Sequence, residues 1–247
     1  MNTYRAELHV HTVLSPCAGI EMIPPLIVDK ALELGIQIIA ITDHNVSANV
    51  EAVMQAAEGT DLTVIPGMEL QTNEEIHSLC LFETLDQLEE FQHNVDQTLP
   101  DFPNNIEFFG EQFVVDKEGE FISREERLLI NSTSLSVYDA FRIVKDLDGL
   151  FIPAHVNREA FGMISHLGTV PPDLPVTTLE ISRHISPQKA IERFPYLKNY
   201  HLIQSGDVHF IDDFLASNQF LLAAPNLKEI KLALAGSNGR LHQIMAA

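Results

Sequence analysis

The sequence predicts an α/β protein built on either a parallel barrel or a doubly wound sheet. Short apolar segments alternate with helix-like segments about seven times along the chain. Several of the predicted strands are almost entirely apolar, as expected where helices cover both faces of a parallel sheet. With 247 residues, 45% of them hydrophobic, the chain is long enough to bury a sizeable core.

Short apolar segments between turn-forming residues are the predicted strands. They are residues 6–11, 36–42, 62–68, 77–82, 150–154, 178–181, 201–205 and 220–223. The helices between them have recognisable ends. Pro24 begins a helix that ends at Gly35, and Thr84 with Gln87 forms a capping box. Two further predicted helices span residues 136–149 and 225–236.

One segment interrupts this alternation. Residues 108–122 predict a β-hairpin with its turn at Glu118 and Gly119. The predicted helix before this hairpin and the hairpin itself indicate a helix-hairpin insertion at residues 84–149. Because no linker or internal repeat separates the rest, we expect residues 1–247 to form a single domain.

The net charge and the number of cysteines argue against some classes of protein. The chain has 15 Lys and Arg against 35 Asp and Glu, a net charge of −20, which argues against binding to long nucleic acid or to an anionic membrane. It has only two cysteines, no signal-peptide pattern and no apolar run of roughly 18 residues. These features predict a cytoplasmic protein, and the surplus of carboxylates and imidazoles favours metal binding.

The candidate metal ligands follow the predicted strands. They include six of the 11 histidines: His9, His11, Asp43, His44, Glu69, His77, His155, Asp207 and His209. In a parallel barrel the carboxyl ends of the strands converge on one mouth. Imidazoles and carboxylates bind Zn²⁺, Mn²⁺ or Fe²⁺. A single histidine at a strand end is weak evidence, but the joint pattern predicts a shared metal site.

Five segments in this order resemble the motifs of the PHP (polymerase and histidinol phosphatase) family. They are residues 9–15, 41–44, 66–69, 153–155 and 206–209. The resemblance covers most of the chain. It implies a distorted seven-stranded (β/α)7 barrel, a TIM-like fold, that binds two or three divalent metal ions and hydrolyses phosphoesters.

The resemblance also implies how the ligands are shared among three ions. One ion would be held by His9, His11, Glu69 and Asp207. Glu69 would bridge to a second ion, which His77 and His155 also bind. The third would be held by His44, His209 and one residue from the loop after His11.

That loop departs from the family pattern. Many members have Asp at the position of Pro16, and others have His at the position of Cys17. A thiolate is an alternative zinc ligand, so Cys17 is a candidate for the third site. The alternative, that Cys17 is a small buried residue and the third site is empty, stays open.

The leading functional hypothesis is a phosphoesterase that hydrolyses a small soluble phosphate ester. A hydroxide that bridges two ions would attack phosphorus, with Asp43 orienting this nucleophile. Arg158 and Arg183 are candidate phosphate-binding residues, and His184 is a weaker candidate for a general acid. Substrate identity, metal identity and oligomeric state stay open.

Three alternatives remain. A nuclease acting on short oligonucleotides would be the second possibility, and a metal-binding partner or sensor protein that docks another protein through residues 84–149 would be the third. Hydrolysis of C–N bonds by a similar barrel fits the order of the motifs less well.

Overall fold

A curled seven-stranded sheet organises the structure, a computed structural model that describes residues 1–245. Its strands, in sheet order, are β11 (Leu241–Ile244), β10 (Asn218–Leu222), β1 (Asn2–Val10), β2 (Ile38–Ile41), β3 (Thr63–Gln71), β4 (His77–Leu81) and β7 (Leu150–Pro153). Both faces of the sheet are buried. Along β2, Ile38 and Ala40 belong to one apolar cluster while Ile39 and Ile41 belong to another. The predicted α/β class is therefore confirmed.

Only the centre of this sheet is parallel. Strands β1, β2 and β3 pair in parallel, whereas β4, β7, β10 and β11 pair with antiparallel neighbours. The prediction of a parallel sheet is thus correct for three strands of this sheet and wrong for its other four. The five residues between β3 and β4 are the reason, because so short a connection joins antiparallel strands and a parallel pair needs a longer crossover.

A separate pair of parallel strands lies between the end of β7 and the end of β1. It consists of β8 (Thr178–Ile181) and β9 (His201–Gln204). The Val156 amide, just after β7, donates to the Glu180 carbonyl in β8 at 2.9 Å. On the other side, Val208 exchanges backbone hydrogen bonds with His9 and His11 at 3.0 and 2.9 Å. The loop after β9 is therefore joined to the end of β1.

The segment predicted as a hairpin contains a short antiparallel pair, β5 (Phe113–Val115) and β6 (Phe121–Arg124). The Asp116 carboxylate accepts hydrogen bonds from the amides of Glu118 and Glu120, which closes the turn. The strand predicted for residues 108–112 is wrong. Phe108 and Phe109 instead belong to a helical turn, α4 (Ile106–Phe109), which ends at Gly110 with φ of 96°.

The remaining helices are α1 (Pro24–Glu33), α2 (Val50–Ala56), α3 (Leu85–Asp96), α5 (Val137–Asp146), α6 (Met163–Leu167), α7 (Pro187–Arg193) and α8 (Leu227–Leu234). Short 3₁₀ turns occur at Pro195–Asn199 and Ile211–Asp213. The predicted capping box is confirmed, because the Thr84 hydroxyl accepts from the Gln87 amide and the Gln87 side chain accepts from the Thr84 amide. Among residues 1–245, every helix is too short or too polar to cross a membrane.

One buried carboxylate holds the loop that follows β9. Glu7 in β1 accepts hydrogen bonds from the amides of Gly206, Leu215 and Ala216 at 2.8, 2.9 and 2.8 Å. Burial raises the pKa of Glu7 to about 7, although these amides favour its charged form. A Cβ atom at Gly206 would overlap the carbonyl oxygen of Asp213. Position 206 therefore requires glycine.

We predict that Gly206→Ala lowers the free energy of unfolding by about 1–3 kcal/mol, because the loop backbone must move to admit the methyl group. Urea unfolding at equilibrium measures this change. Gly19→Ala is the matched control, since the three atoms nearest to its methyl group would all belong to the flexible side chain of Glu21. We expect the control to stay within about 0.5 kcal/mol of the parent. Equal stabilities of the two variants would contradict this account of the loop.

Candidate metal centre

Glu69 in β3 lies at the centre of a cluster of five histidines. Its carboxylate is fully buried. Oε1 lies 3.0 Å from His77 Nδ1, 3.1 Å from His155 Nε2 and 3.2 Å from His9 Nε2. Oε2 lies 3.0 Å from His44 Nδ1 and 3.4 Å from His11 Nε2. A single carboxylate thus contacts five imidazoles from four separate parts of the chain.

Three overlapping groups of donor atoms arise around this carboxylate. In each group the atoms lie within 4.8 Å of one another; the groups are His9, His11, Glu69 and Asp207; His44, Glu69 and His77; and His11, His44 and His209. His155 joins through its contact with Glu69, and Cys17 Sγ lies 3.4 Å from His44 Nε2. The eight residues that the resemblance assigns to ions, together with Cys17, therefore lie in one cluster.

The chemistry of the cluster fits metal ions. Four buried polar atoms of the cluster have no hydrogen-bond partner among residues 1–245: His44 Nδ1, Glu69 Oε2, His155 Nδ1 and Asp207 Oδ1. Buried polar atoms are normally paired, because an unpaired one costs free energy. Two of these atoms, on His44 and Glu69, face each other at 3.0 Å. A cation between such donors would satisfy them, and imidazole with carboxylate suits zinc, manganese or iron.

Outer hydrogen bonds orient three of the imidazoles. Each of these rings donates from the nitrogen that points away from Glu69, which leaves the other nitrogen free to bind a metal. The pairs are His9 Nδ1 with Glu180 Oε2 at 3.0 Å, His11 Nδ1 with Ser15 Oγ at 2.9 Å, and His77 Nε2 with Gln71 Oε1 at 3.1 Å.

Two of the residues that orient these imidazoles, Glu180 and Gln71, were not predicted from the sequence. Glu180 is buried in β8 between Leu179 and Ile181, and it also accepts a hydrogen bond from the His155 amide at 3.1 Å. A charged residue inside an apolar strand was the signal that would have found Glu180. Gln71, at the end of β3, offers no comparable signal.

Asp43 lies behind the cluster. Its carboxylate accepts three hydrogen bonds of 2.7 Å, two from Thr12 and one from the Ser15 hydroxyl. Ser15 in turn accepts the hydrogen bond from His11. Asp43 therefore positions Ser15 and, through it, His11. Its predicted action on a nucleophile remains a prediction.

The carboxylates at the centre remain ionised. Burial opposes the charge on Glu69, yet the imidazoles of His77 and His9 hold its pKa well below the usual range. Burial also opposes the charge on Asp207, but His9 and a hydrogen bond with His11 lower its pKa. Burial lowers the pKa of His77 to about 4 despite the attraction of Glu69. At neutral pH both carboxylates and the His77 imidazole are therefore in the forms that bind metals.

Two residues of the cluster adopt a backbone conformation that is unusual for side chains other than glycine. His155, two residues after β7, has φ of 28°, and Asp207, three residues after β9, has φ of 51°. Such strain costs about 1–3 kcal/mol and concentrates at functional sites. Here it turns both side chains towards Glu69 and His9.

Cys17 lies at the outer side of the cluster, next to His44 and His209. Partial burial opposes ionisation of the thiol, but these two imidazoles lower the pKa of Cys17 to about 6. The residue as a whole is exposed, while its Sγ lies 3.4 Å from His44 Nε2, and its role as a ligand remains a prediction. Cys80, in contrast, is completely buried in β4.

A cleft of about 700 Å³ opens onto the cluster, and the three predicted substrate-binding residues Arg158, Arg183 and His184 line it. Arg158 Nη1 donates to Asp207 Oδ2 at 2.6 Å. Arg183 Nη1 donates to Asp213 Oδ1 at 2.9 Å and to the Gly206 carbonyl at 3.3 Å. The structure thus brings these residues next to the candidate metal ligands. Their contact with a substrate remains a prediction.

The fold and this cluster define a family. A sequence model of the PHP domain matches residues 7–146, more than half of the chain. The chain therefore belongs to the PHP domain family, a class of metal-dependent hydrolases, as the resemblance of its motifs predicted.

Similar proteins include nucleases. The 5'-3' exoribonuclease Rnm of Salmonella typhimurium strain LT2 is 37% identical over 80 residues, which are 30% of this chain and 26% of that protein. The lesion-specific endonuclease PfuEndoQ from Pyrococcus furiosus aligns with a TM-score of 0.75 and 19% identity over 98% of this chain. This chain spans about a quarter of the length of the exoribonuclease and 58% of the length of the endonuclease.

The fold is shared more widely. An amidohydrolase from Chromobacterium violaceum, solved with bound sulfate and no metal, aligns with a TM-score of 0.57 and 14% identity. That alignment covers 85% of this chain and 89% of the amidohydrolase. At these identities, the likeness to the endonuclease and the amidohydrolase establishes the fold alone.

We predict that Glu180→Gln weakens metal binding by about 10- to 100-fold, because His9 loses the anionic partner that orients it and raises its basicity. Titration of metal-free protein with Zn²⁺ against a competing chelator measures the affinity. Glu229→Gln is the control, since Glu229 is also a buried carboxylate but pairs with Arg240 and does not line the cleft beside the cluster. Equal affinities of the two variants would show that Glu180 does not support the metal site.

Proposed function

We propose that this chain is a metal-dependent phosphodiesterase that cleaves short oligonucleotides or the ends of nucleic acid strands. The observation that carries the proposal is the cleft lined by Arg158 and Arg183, which opens directly onto the cluster around Glu69. Arginine binds phosphate bidentately, and the adjacent ligands suit the ions that promote phosphoester hydrolysis. The nuclease activities of Rnm and PfuEndoQ support nucleic acid as the substrate class.

The net charge of −20 had favoured a small substrate and argued against long nucleic acid. That argument was too broad, because Endonuclease Q, which shares this fold, is solved with a 27-mer duplex substrate at its active site. Net charge is a property of the whole surface, whereas the field at the cleft depends on local arginines and bound cations. A small phosphate ester remains the second candidate, because only two arginines line the cleft.

The family resemblance indicates how the donors would share the ions, and one donor group matches it fully. His9, His11, Glu69 and Asp207 would bind one ion. Glu69, His77 and His155 would bind a second, and Cys17, His44 and His209 a third, with His155 and Cys17 added through their contacts with Glu69 and His44. When bound, the ions would neutralise phosphate oxygens and lower the pKa of a coordinated water.

The protein's own groups would position the substrate. Within residues 1–245, Arg158 donates only through Nη1, so Nε and Nη2 remain available to a phosphate oxygen. Arg183 likewise donates only through Nη1 in that part of the chain. His184 borders the same cleft, where it could protonate a leaving group. Asp43 would act through Ser15 and His11, as the hydrogen bonds indicate.

We also propose that the chain forms one domain in which residues 84–149 are an insertion. Strands β4 and β7 flank this segment and pair directly with each other through four residue pairs. The sheet is therefore continuous without the segment, which supports its treatment as an addition to the barrel.

We predict that metal-free protein is inactive and that Mn²⁺ or Zn²⁺ restores hydrolysis of a 5′-phosphorylated pentanucleotide. We expect kcat/KM for this substrate to exceed that for ribose 5-phosphate by about tenfold or more, because added phosphates contact the arginines. Glu69→Gln should lower kcat by about 100-fold or more through loss of the shared ligand, and Glu229→Gln is the control.

Two other results would reject this proposal. Hydrolysis of ribose 5-phosphate alone would support the small-ester candidate. Stoichiometric metal binding with no hydrolysis of either substrate would support a metal-binding partner or sensor protein.

We further predict that Cys17→Ala lowers the zinc content from about three ions to about two per chain, because the third site loses its thiolate ligand. Elemental analysis of zinc-loaded protein measures this change. Cys80→Ala is the matched control, since Cys80 is buried in β4 and belongs to none of the donor groups. An unchanged zinc content in Cys17→Ala would remove Cys17 from the ligand set.

A further inference from the structure

A second cleft, of about 400 Å³, borders the same cluster, and its lining differs from that of the larger cleft. Arg158, Asp207 and His209 line both clefts. Beyond these residues, the larger cleft is lined by the polar and charged side chains Ser182, Arg183, His184, Ser205 and Asp213. The smaller cleft instead contains Ile130, Phe161 and Phe210. The candidate metal centre therefore lies between a polar surface and an aromatic one.

Phe161 is fixed rigidly at the smaller cleft. Its backbone adopts φ of 58°, which is strained for a phenylalanine. The ring stacks on His77 with centroids 4.4 Å apart and planes 4° from parallel, and its carbonyl oxygen accepts from the His77 amide at 3.1 Å. The next residue, Gly162, approaches the Arg158 carbonyl so closely that a Cβ would overlap it. Tertiary contacts thus hold a strained residue beside a candidate ligand.

Phe210 directly follows His209 and leaves 51% of its surface exposed. Its amide donates to Asp213 Oδ2 at 3.1 Å, which holds the residue at the mouth of the cleft. The ring therefore contributes little to the core, although burial of a phenylalanine stabilises a protein by about 1.5–3 kcal/mol. An exposed aromatic ring next to a charged cluster is suited to stacking on a flat ligand.

We propose that the smaller cleft is a nucleobase subsite, in which the base stacks on Phe210 while its sugar phosphate points to Arg158 and the metal centre. This inference rests on the proposed function and deepens it, because it names the part of the substrate that the smaller cleft binds. A nucleotide joins a flat aromatic ring to an anion through a sugar, which matches the change from aromatic to cationic lining. An apolar peptide or lipid chain would offer no anion to Arg158.

Stacking would make the subsite tolerant of base identity. Each base presents an aromatic face, and stacking on a protein aromatic contributes about 1–3 kcal/mol per base. The volume of about 400 Å³ lies within the range typical of small-molecule sites.

The test compares the binding of adenosine 5′-monophosphate and ribose 5-phosphate, which differ only in the base. Titration calorimetry on the zinc-loaded protein measures both affinities. We expect the nucleotide to bind about tenfold more tightly. Phe210→Ala should abolish this preference while leaving the affinity for ribose 5-phosphate unchanged, and Phe210→Trp should retain it because the indole also stacks.

Phe108→Ala is the control for the loss of an exposed phenyl ring. Phe108 is 78% exposed in α4 and lines neither cleft, so this variant should keep the parent's preference. Zinc content and circular dichroism confirm that each variant is loaded and folded.

Three results would overturn the nucleobase subsite: equal affinities for the two ligands in the parent, a preference that survives in Phe210→Ala, or no binding of either ligand. Because binding requires no turnover, this test is independent of the proposed activity. A preference lost in Phe210→Ala, without hydrolysis of the pentanucleotide, would support the subsite and reject the nuclease. Hydrolysis without such a preference would reject the subsite alone.

Discussion

The central constraint of this structure is the burial of one carboxylate, Glu69, among five imidazoles. A buried charge is costly unless it is paired and hydrogen-bonded, and both oxygens of Glu69 lie within 3.4 Å of imidazoles, although Oε2 has no hydrogen-bond partner among residues 1–245. The same contacts crowd several nitrogen and oxygen lone pairs into a small space, which is stable when cations lie between them. Metal binding and the stability of the barrel mouth are therefore linked through a single side chain.

The departure from a parallel sheet serves this arrangement. In the antiparallel pair of β3 and β4, Gln71 lies opposite His77 and Glu69 opposite Leu79. The short return of the chain therefore brings His77 back beside the strand that carries Glu69, and Gln71 orients its ring. If β4 were parallel to β3, its first residue, His77, would lie at the opposite end of the strands, away from the cluster. The local reversal thus adds a donor to the mouth of the barrel.

A chain with a net charge of −20 binds an anionic substrate only if the electrostatic potential at its cleft is more positive than the net charge suggests. Here the carboxylates nearest to the cleft are already engaged. Asp207 pairs with Arg158, Asp213 pairs with Arg183, and Glu180 accepts from His9. Because these carboxylates are paired, an incoming phosphate would meet the guanidinium groups and the bound cations. The larger, polar cleft and the smaller, aromatic cleft both border the candidate metal centre, so the centre is open to both.

The amino-acid sequence was enough to predict the alternation of strands and helices, the capping box at Thr84, and the candidate metal ligands. Each of these is encoded locally, by apolar periodicity, by a capping residue or by a motif at a strand end. The antiparallel direction of β4, the helical turn at Phe108, the support of His9 by Glu180 and the two clefts became visible in the three-dimensional structure. His9 and Glu180 are 171 residues apart. A local pattern reports burial and secondary structure, whereas the partner of a buried polar atom depends on which distant strands become neighbours.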